Sequence, residues 1–200
     1  MYCKMMVGVA GSGTEQGADA IKLALSEPNL SGNNANFLRE DSFLGIVVIS
    51  DEEDASVTTS TEIVDFLSTV TKWNPNETAR PYSINAIVHQ EARNCAGAAW
   101  AGYLGGDYLD MATLSEGEKG NLCGDFAEIV QKISDGIAKA TSEIRLDRPA
   151  EPNSVRVWLN GVEVPKSATQ GFQYIPNRQS VQFNGSWIPK PGDELGLEYD

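Results

Sequence analysis

Apolar positions fall into two kinds of pattern along this chain, helical spacing and unbroken aliphatic runs, and the two alternate. Ala18, Ile21, Ala24 and Leu25 recur at helical spacing within 15–25, just after the glycine loop Gly8-Val-Ala-Gly-Ser-Gly-Thr14. Thr14, with an acidic residue behind it, is the expected N-cap of that helix. Leu44-Gly-Ile-Val-Val-Ile-Ser50 is rich in Val and Ile and predicts a strand buried on both faces, as in a parallel sheet. Ile63, Phe66, Leu67 and Val70 predict a helix over 60–72 that Trp73-Asn-Pro-Asn ends. Tyr82-Ser-Ile-Asn-Ala-Ile-Val88 predicts a second strand and Tyr108-Leu-Asp-Met-Ala112 a short third one. Phe126, Ile129, Ile133, Ile137 and Ala140 share one face of a helix expected over 126–144, with Asp125 near its start.

Past Arg148-Pro-Ala-Glu-Pro-Asn153 the period becomes two. Val155, Val157 and Leu159 alternate with Arg156 and Trp158, and Asn160-Gly161 is a hairpin turn into Val162-Glu-Val164. Short strands follow at 172–174, 180–183 and 194–199. The expected fold class is therefore α/β, a doubly wound and mainly parallel sheet, plus a small antiparallel β module. The domains fall at 1–147 and 148–200, with the Pro-rich segment as their boundary. So small a module buries little core alone and is expected to pack on the α/β part. Trp158, Phe172, Tyr174, Phe183 and Trp187 are its natural core.

Charge narrows the partners. Asp and Glu number 28 against 15 Lys and Arg, a net charge of −13, with no basic cluster to meet a phosphate backbone. Nucleic acid is not an expected partner on that ground. No run reaches the roughly 18 apolar residues that insert into a membrane. The apolar patch at the N-terminus is too short for a secretory signal. Cys3, Cys95 and Cys123 match no zinc spacing. They read as one pair and a leftover in an exported protein, or as three buried thiols in a cytosolic one.

The candidate chemistry sits behind the first strand. Ligands of open α/β sheets bind outside the carboxyl ends of the strands, and Asp51 stands there with Glu52, Glu53 and Asp54 after it. Hard oxygen ligands suit Mg²⁺, Mn²⁺ or Ca²⁺. The bland alternative is a solvated acidic loop. The frame Gly8-x-x-x-x-Gly13-Thr14 lacks the Lys of a phosphate-binding loop, and Gly11-x-Gly13-x-x-x-Gly17 is one residue too long for a dinucleotide fingerprint. His89, the lone histidine, ends the second strand with no nucleophile elbow to serve.

Gly11-Ser-Gly-Thr-Glu-Gln-Gly17, Ala24-Leu-Ser26, Asn36-Phe-Leu-Arg39, the segment 44–56 and Gly120-Asn-Leu-Cys-Gly-Asp-Phe126 together resemble the von Willebrand factor A-like domains of bacterial exported and cell-envelope proteins. The resemblance takes in the β module from Arg148-Pro as well. It implies a metal-ion-dependent adhesion site in which Thr14 matches the second ligand loop and Asp51 the third, with Ser12 a substitute for Thr14. The Asp-x-Ser-x-Ser loop of the family is missing, so the domain reads as N-terminally truncated and its site as partial. Mg²⁺, or Ca²⁺ or Mn²⁺, is then bound weakly or not at all. The resemblance also implies a disulfide between Cys95 and Cys123, with Cys3 the odd thiol, and a location outside the cell or in the envelope or periplasm.

The expected function is a non-enzymatic binding or adhesion module whose protein ligand presents a carboxylate. The alternatives are a metal-assisted hydrolase built on Asp51 to Asp54, or a structural fragment without an active site. The sheet edge left by a missing central strand invites pairing with a second copy, so a homodimer is expected.

Overall fold

The computed structural model describes residues 13–39, 42–74, 80–91, 95, 104–190 and 192–200. Its α/β part runs α1 (Gly17–Ala24), β1 (Leu44–Ser50), α2 (Ser60–Val70), β2 (Tyr82–Val88), α3 (Gly106–Leu114), β3 (Lys119–Asn121) and α4 (Phe126–Ala140). The strands form a parallel sheet in the order β1-β2-β3, with Leu44 opposite Tyr82, Ser50 opposite Val88, and Val88 opposite Asn121.

β2 is the central strand and is buried at all seven positions. Tyr82, Ile84, Ala86 and Val88, with Leu44, Ile46 and Val48 beside them, pack one face of the sheet against α1, α2 and α3. α4 lies on the other face. There the missing side chain of Gly120 leaves room for Ile129, which a Cβ would strike. α4 reaches β1 at Gly45, over which Ile137 packs, while Val47 and Ile49 further along that strand stay 44% and 54% exposed. Among the described residues β1 pairs with β2 alone, so it is an edge strand where the apolar run predicted burial on both sides.

Buried polar groups on β2 are satisfied by neighbours. Asn85 donates Nδ2–H to the Ile46 carbonyl at 2.9 Å and accepts the Glu118 N–H at 2.9 Å, tying both flanking segments to the centre. The Ile84 N–H donates to Ser115 Oγ at 2.8 Å, and the Tyr82 hydroxyl donates to the Val64 carbonyl at 2.8 Å. α2 begins in a capping box, with the Glu62 N–H on Thr59 Oγ1 at 3.3 Å and the Thr59 N–H on Glu62 Oε2 at 2.8 Å.

Two expectations are corrected. Residues 108–112 are not a strand but lie within α3. Tyr108, Met111 and Ala112 are its buried side chains, at positions i, i+3 and i+4, which is the helical period compressed into one short segment. The third strand is Lys119–Asn121 instead, three residues with no apolar side chain to signal it. The helix expected to 144 ends at Ala140, and Glu143–Arg145 forms β4.

β4 belongs to the antiparallel module. It pairs with β8 (Ser180–Asn184), which pairs with β7 (Gly171–Ile175); a second sheet sets β5 (Arg156–Leu159) between β6 (Val162–Glu163) and β9 (Leu195–Glu198). The hairpin at Asn160-Gly161 has positive φ at both residues, 51° and 79°. That matches the right-handed strand twist. Val155, Val157, Phe172, Val181 and Phe183 fill the module's core, and Leu146 and Ile144 join it, so the packed unit starts a few residues before 148. Trp158 is outside that core, with the Arg156 guanidinium 5.0 Å from its ring centre.

Candidate functional site

The carboxyl ends of β1 and β2 form a rim, and the acidic loop behind β1 divides its labour there. Asp54 is buried. It accepts the Gly17 N–H on Oδ1 at 2.8 Å, the Ala18 N–H on Oδ2 at 3.3 Å, the Ser56 hydroxyl at 2.7 Å and the Tyr108 hydroxyl at 3.3 Å. α1 is an eight-residue helix whose own N-cap residue, Gln16, supplies no side-chain cap. Its orphan N–H groups are satisfied from 37 residues further along the chain. The cap expected from Thr14 is therefore replaced by Asp54. Glu53 does a similar service for α3, accepting the Asp107 N–H at 3.3 Å.

The two segments are zipped further. The Ala55 N–H donates to the Glu15 carbonyl at 2.7 Å, and the Asp19 N–H donates to Ser56 Oγ at 3.0 Å. The Asp19 carboxylate in return accepts the N–H groups of Val57 at 2.9 Å and Thr58 at 3.1 Å. Thr58 first, then the Val57 N–H, hold the Asp19 carboxyl below its ordinary value. A carboxylate so depressed contributes stability above the unfolded value, and that contribution is lost as pH falls through the folded one. The Asp19→Asn variant is therefore expected to show a shallower loss of stability than wild type between about pH 5 and pH 2, read from urea midpoints.

Tyr108 is also buried. Desolvation, and then the Asp54 charge beside it, push its hydroxyl well above the usual phenol range. It stays protonated and is a donor to Asp54 at any working pH.

Asp51 takes no part in this zipper. It is exposed, one residue past β1, while Ser50 Oγ accepts the Glu52 N–H at 3.1 Å to close the turn. Thr14 is exposed too, one residue before the Glu15 carbonyl that Ala55 holds. The Thr14 segment thus meets the acidic loop at Ala55, past Asp51 in the chain. Ser12 lies outside the described residues.

The donor chemistry, a hydroxyl and a carboxylate, suits a hard cation. The ligand number does not suit a resident one. Asp54, the buried carboxylate of the loop, is saturated by N–H and O–H donors, and among the described residues no metal-capable trio of His, Cys, Asp or Glu includes Asp51. Cys95 and Cys123 are joined in a disulfide with Cα atoms 4.7 Å apart. Sequence reasoning missed the roles of Asp54 and Glu53. The signal available was Asp54-x-Ser56, a pattern in which a carboxylate bonds its own backbone two residues on; here the Ser56 N–H reaches Oδ1 at 3.4 Å. No known family model matches this chain, and no curated protein matches it.

Proposed function

We propose that this chain is a non-enzymatic binding module of the von Willebrand factor A-like type, working outside the cell or in the cell envelope. Its binding surface is the rim where Asp51 and Thr14 present two oxygen ligands. A divalent cation, Mg²⁺, Ca²⁺ or Mn²⁺, is held there weakly by the protein alone, and the carboxylate of a protein ligand would complete its shell. The observation that supports this reading is the Ala55 N–H to Glu15 carbonyl bond of 2.7 Å, which ties the residue after Thr14 to the acidic loop that follows a parallel strand.

The same loop argues against metal-assisted hydrolysis. That chemistry needs carboxylates open to the ion, and Glu53 and Asp54 are engaged by helix N–H groups. The disulfide supports an oxidising compartment. No helix among the described residues is long and apolar enough to cross a membrane.

Calorimetric titration tests the reading. Mg²⁺ and Mn²⁺ are expected to bind with a dissociation constant of about 1 mM, near −4 kcal/mol, and Asp51→Ala should abolish the saturable heat. Equal heat from wild type and Asp51→Ala, or none at millimolar metal, would leave only the structural-fragment reading.

A further inference from the structure

A second constellation lies on the same edge of the sheet, fixed by different strands. His89 follows β2 directly and is 6% exposed, and its carbonyl accepts the Gly105 N–H at 3.1 Å. Cys123 sits two residues past β3. It is held by the Leu122 N–H on the Val88 carbonyl at 2.9 Å and by its own N–H on Asn121 Oδ1 at 3.1 Å. His89 Nδ1 lies 3.5 Å from Cys123 Sγ, and the ligand atoms of His89, Cys95 and Cys123 all fall within 4.8 Å of one another.

We propose that His89, Cys95 and Cys123 form a redox-gated site for a borderline-soft divalent cation of the Zn²⁺ class, closed while the cysteines are joined and open once they are reduced. The spacing between His89 Nδ1 and Cys123 Sγ is what such an ion requires. Tetrahedral Zn²⁺ at about 2.3 Å from sulfur and about 2.0 Å from nitrogen sets an S···N edge near 3.5 Å and an S···S edge near 3.8 Å. The His89–Cys123 S···N edge is already in place at 3.5 Å, and reduction frees the exposed Cys95 Sγ, now within 4.8 Å of the other ligand atoms, to close the remaining edges. Cys95 is exposed, which gives reductant and metal access, and solvent can take the fourth position.

The gate follows from the chemistry of the ligands, because a thiolate binds the metal and a disulfide sulfur does not. A dithiol reduces the S–S bond with two electrons and its own two thiol protons, becoming a disulfide itself; a phosphine supplies the two electrons and becomes the phosphine oxide, with the oxygen and the two protons coming from one water. Those thiols release the two protons again when Zn²⁺ binds both sulfurs. The nitrogen ligand distinguishes this site from a simple exposed pair of thiols, and its metal preference differs from that of the oxygen rim at Asp51. It stands whether or not that rim binds a cation.

Co²⁺ titration in a Cys3→Ser background, with the protein reduced by a phosphine, tests it. Reduced protein is expected to take one equivalent, with sulfur-to-cobalt charge-transfer absorption and the visible bands of a tetrahedral ion, and Zn²⁺ should displace it. Oxidised protein should show neither feature. His89→Ala should weaken Co²⁺ on the order of tenfold or more, and Cys95→Ser, at an exposed position, provides the check should His89→Ala fail to fold. Reduced protein that keeps its circular-dichroism spectrum yet shows no charge-transfer band overturns the proposal. So does unchanged Co²⁺ affinity in the folded His89 or Cys95 variant, or a reduced chain that unfolds and is not restored by Zn²⁺.

Discussion

Asp54→Ala is expected to destabilise the chain by about 3–5 kcal/mol, since it strands several buried donors at once. Gly17 N–H, Ala18 N–H and the Tyr108 hydroxyl would each lose the acceptor they now have. Each donor left without a partner costs about 1–3 kcal/mol, reduced where water can enter the space left by the carboxylate. α1 is too short to hold itself together, and Ala18 and Leu25, which enter the core of the α/β part at that end, would be loosened with it. Asp54→Asn, which keeps one carbonyl acceptor, should cost about half as much, and Tyr108→Phe about 1 kcal/mol. Asp51→Ala, at an exposed position outside the zipper, should change stability by no more than about 0.5 kcal/mol. Urea midpoints at constant slope measure all four. An Asp54→Ala loss of less than about 1 kcal/mol, or a comparable loss for Asp51→Ala, would contradict the division of roles within the acidic loop.

Replacing both Cys95 and Cys123 by serine should remove about 3.5 kcal/mol in the chain-entropy picture, given a cross-link spanning 28 residues. That span runs from the segment after β2 to the loop after β3 and encloses α3 and β3, so the unfolded chain gains most of its extra freedom from this part. Chemical reduction of the wild type in a Cys3→Ser background should reproduce the loss. Midpoints of the double variant and the reduced wild type that equal those of the oxidised protein would mean that the bond contributes nothing to folding.

The parts of the fold that could be read from residues alone are those whose cause is local. β1 and β2 declare themselves by apolar runs, α2 by its spacing, and the β5–β6 hairpin by Asn160-Gly161. α3 was hidden because its three buried side chains fit a five-residue window in which strand and helix periods overlap. β3 was hidden because Lys119-Gly-Asn121 joins the sheet through its backbone and through the groove Gly120 opens for Ile129. β4 overlapped the end of what read as one long helix, and its pairing with β8 is a contact between distant segments. At the rim, Asp51 could be placed from the end of the apolar run. The burial of Asp54 could not, since its partners come from α1 and α3, and the Asp54-x-Ser56 pattern signals only a local turn. His89 was visible only as a solitary histidine, and its cysteine neighbours become neighbours through the parallel pairing of β2 with β3.

Paramagnetic broadening by trace Mn²⁺, followed in amide spectra of the isotopically labelled protein, asks most directly whether the hydroxyl before α1 and the carboxylate after β1 serve one ligand. The backbone signals of 13–15 and 50–52 should fade together and first, and Asp51→Ala should spare both groups. Fading spread evenly over the acidic surface, or confined to one of the two segments, would show that they do not act as a single site.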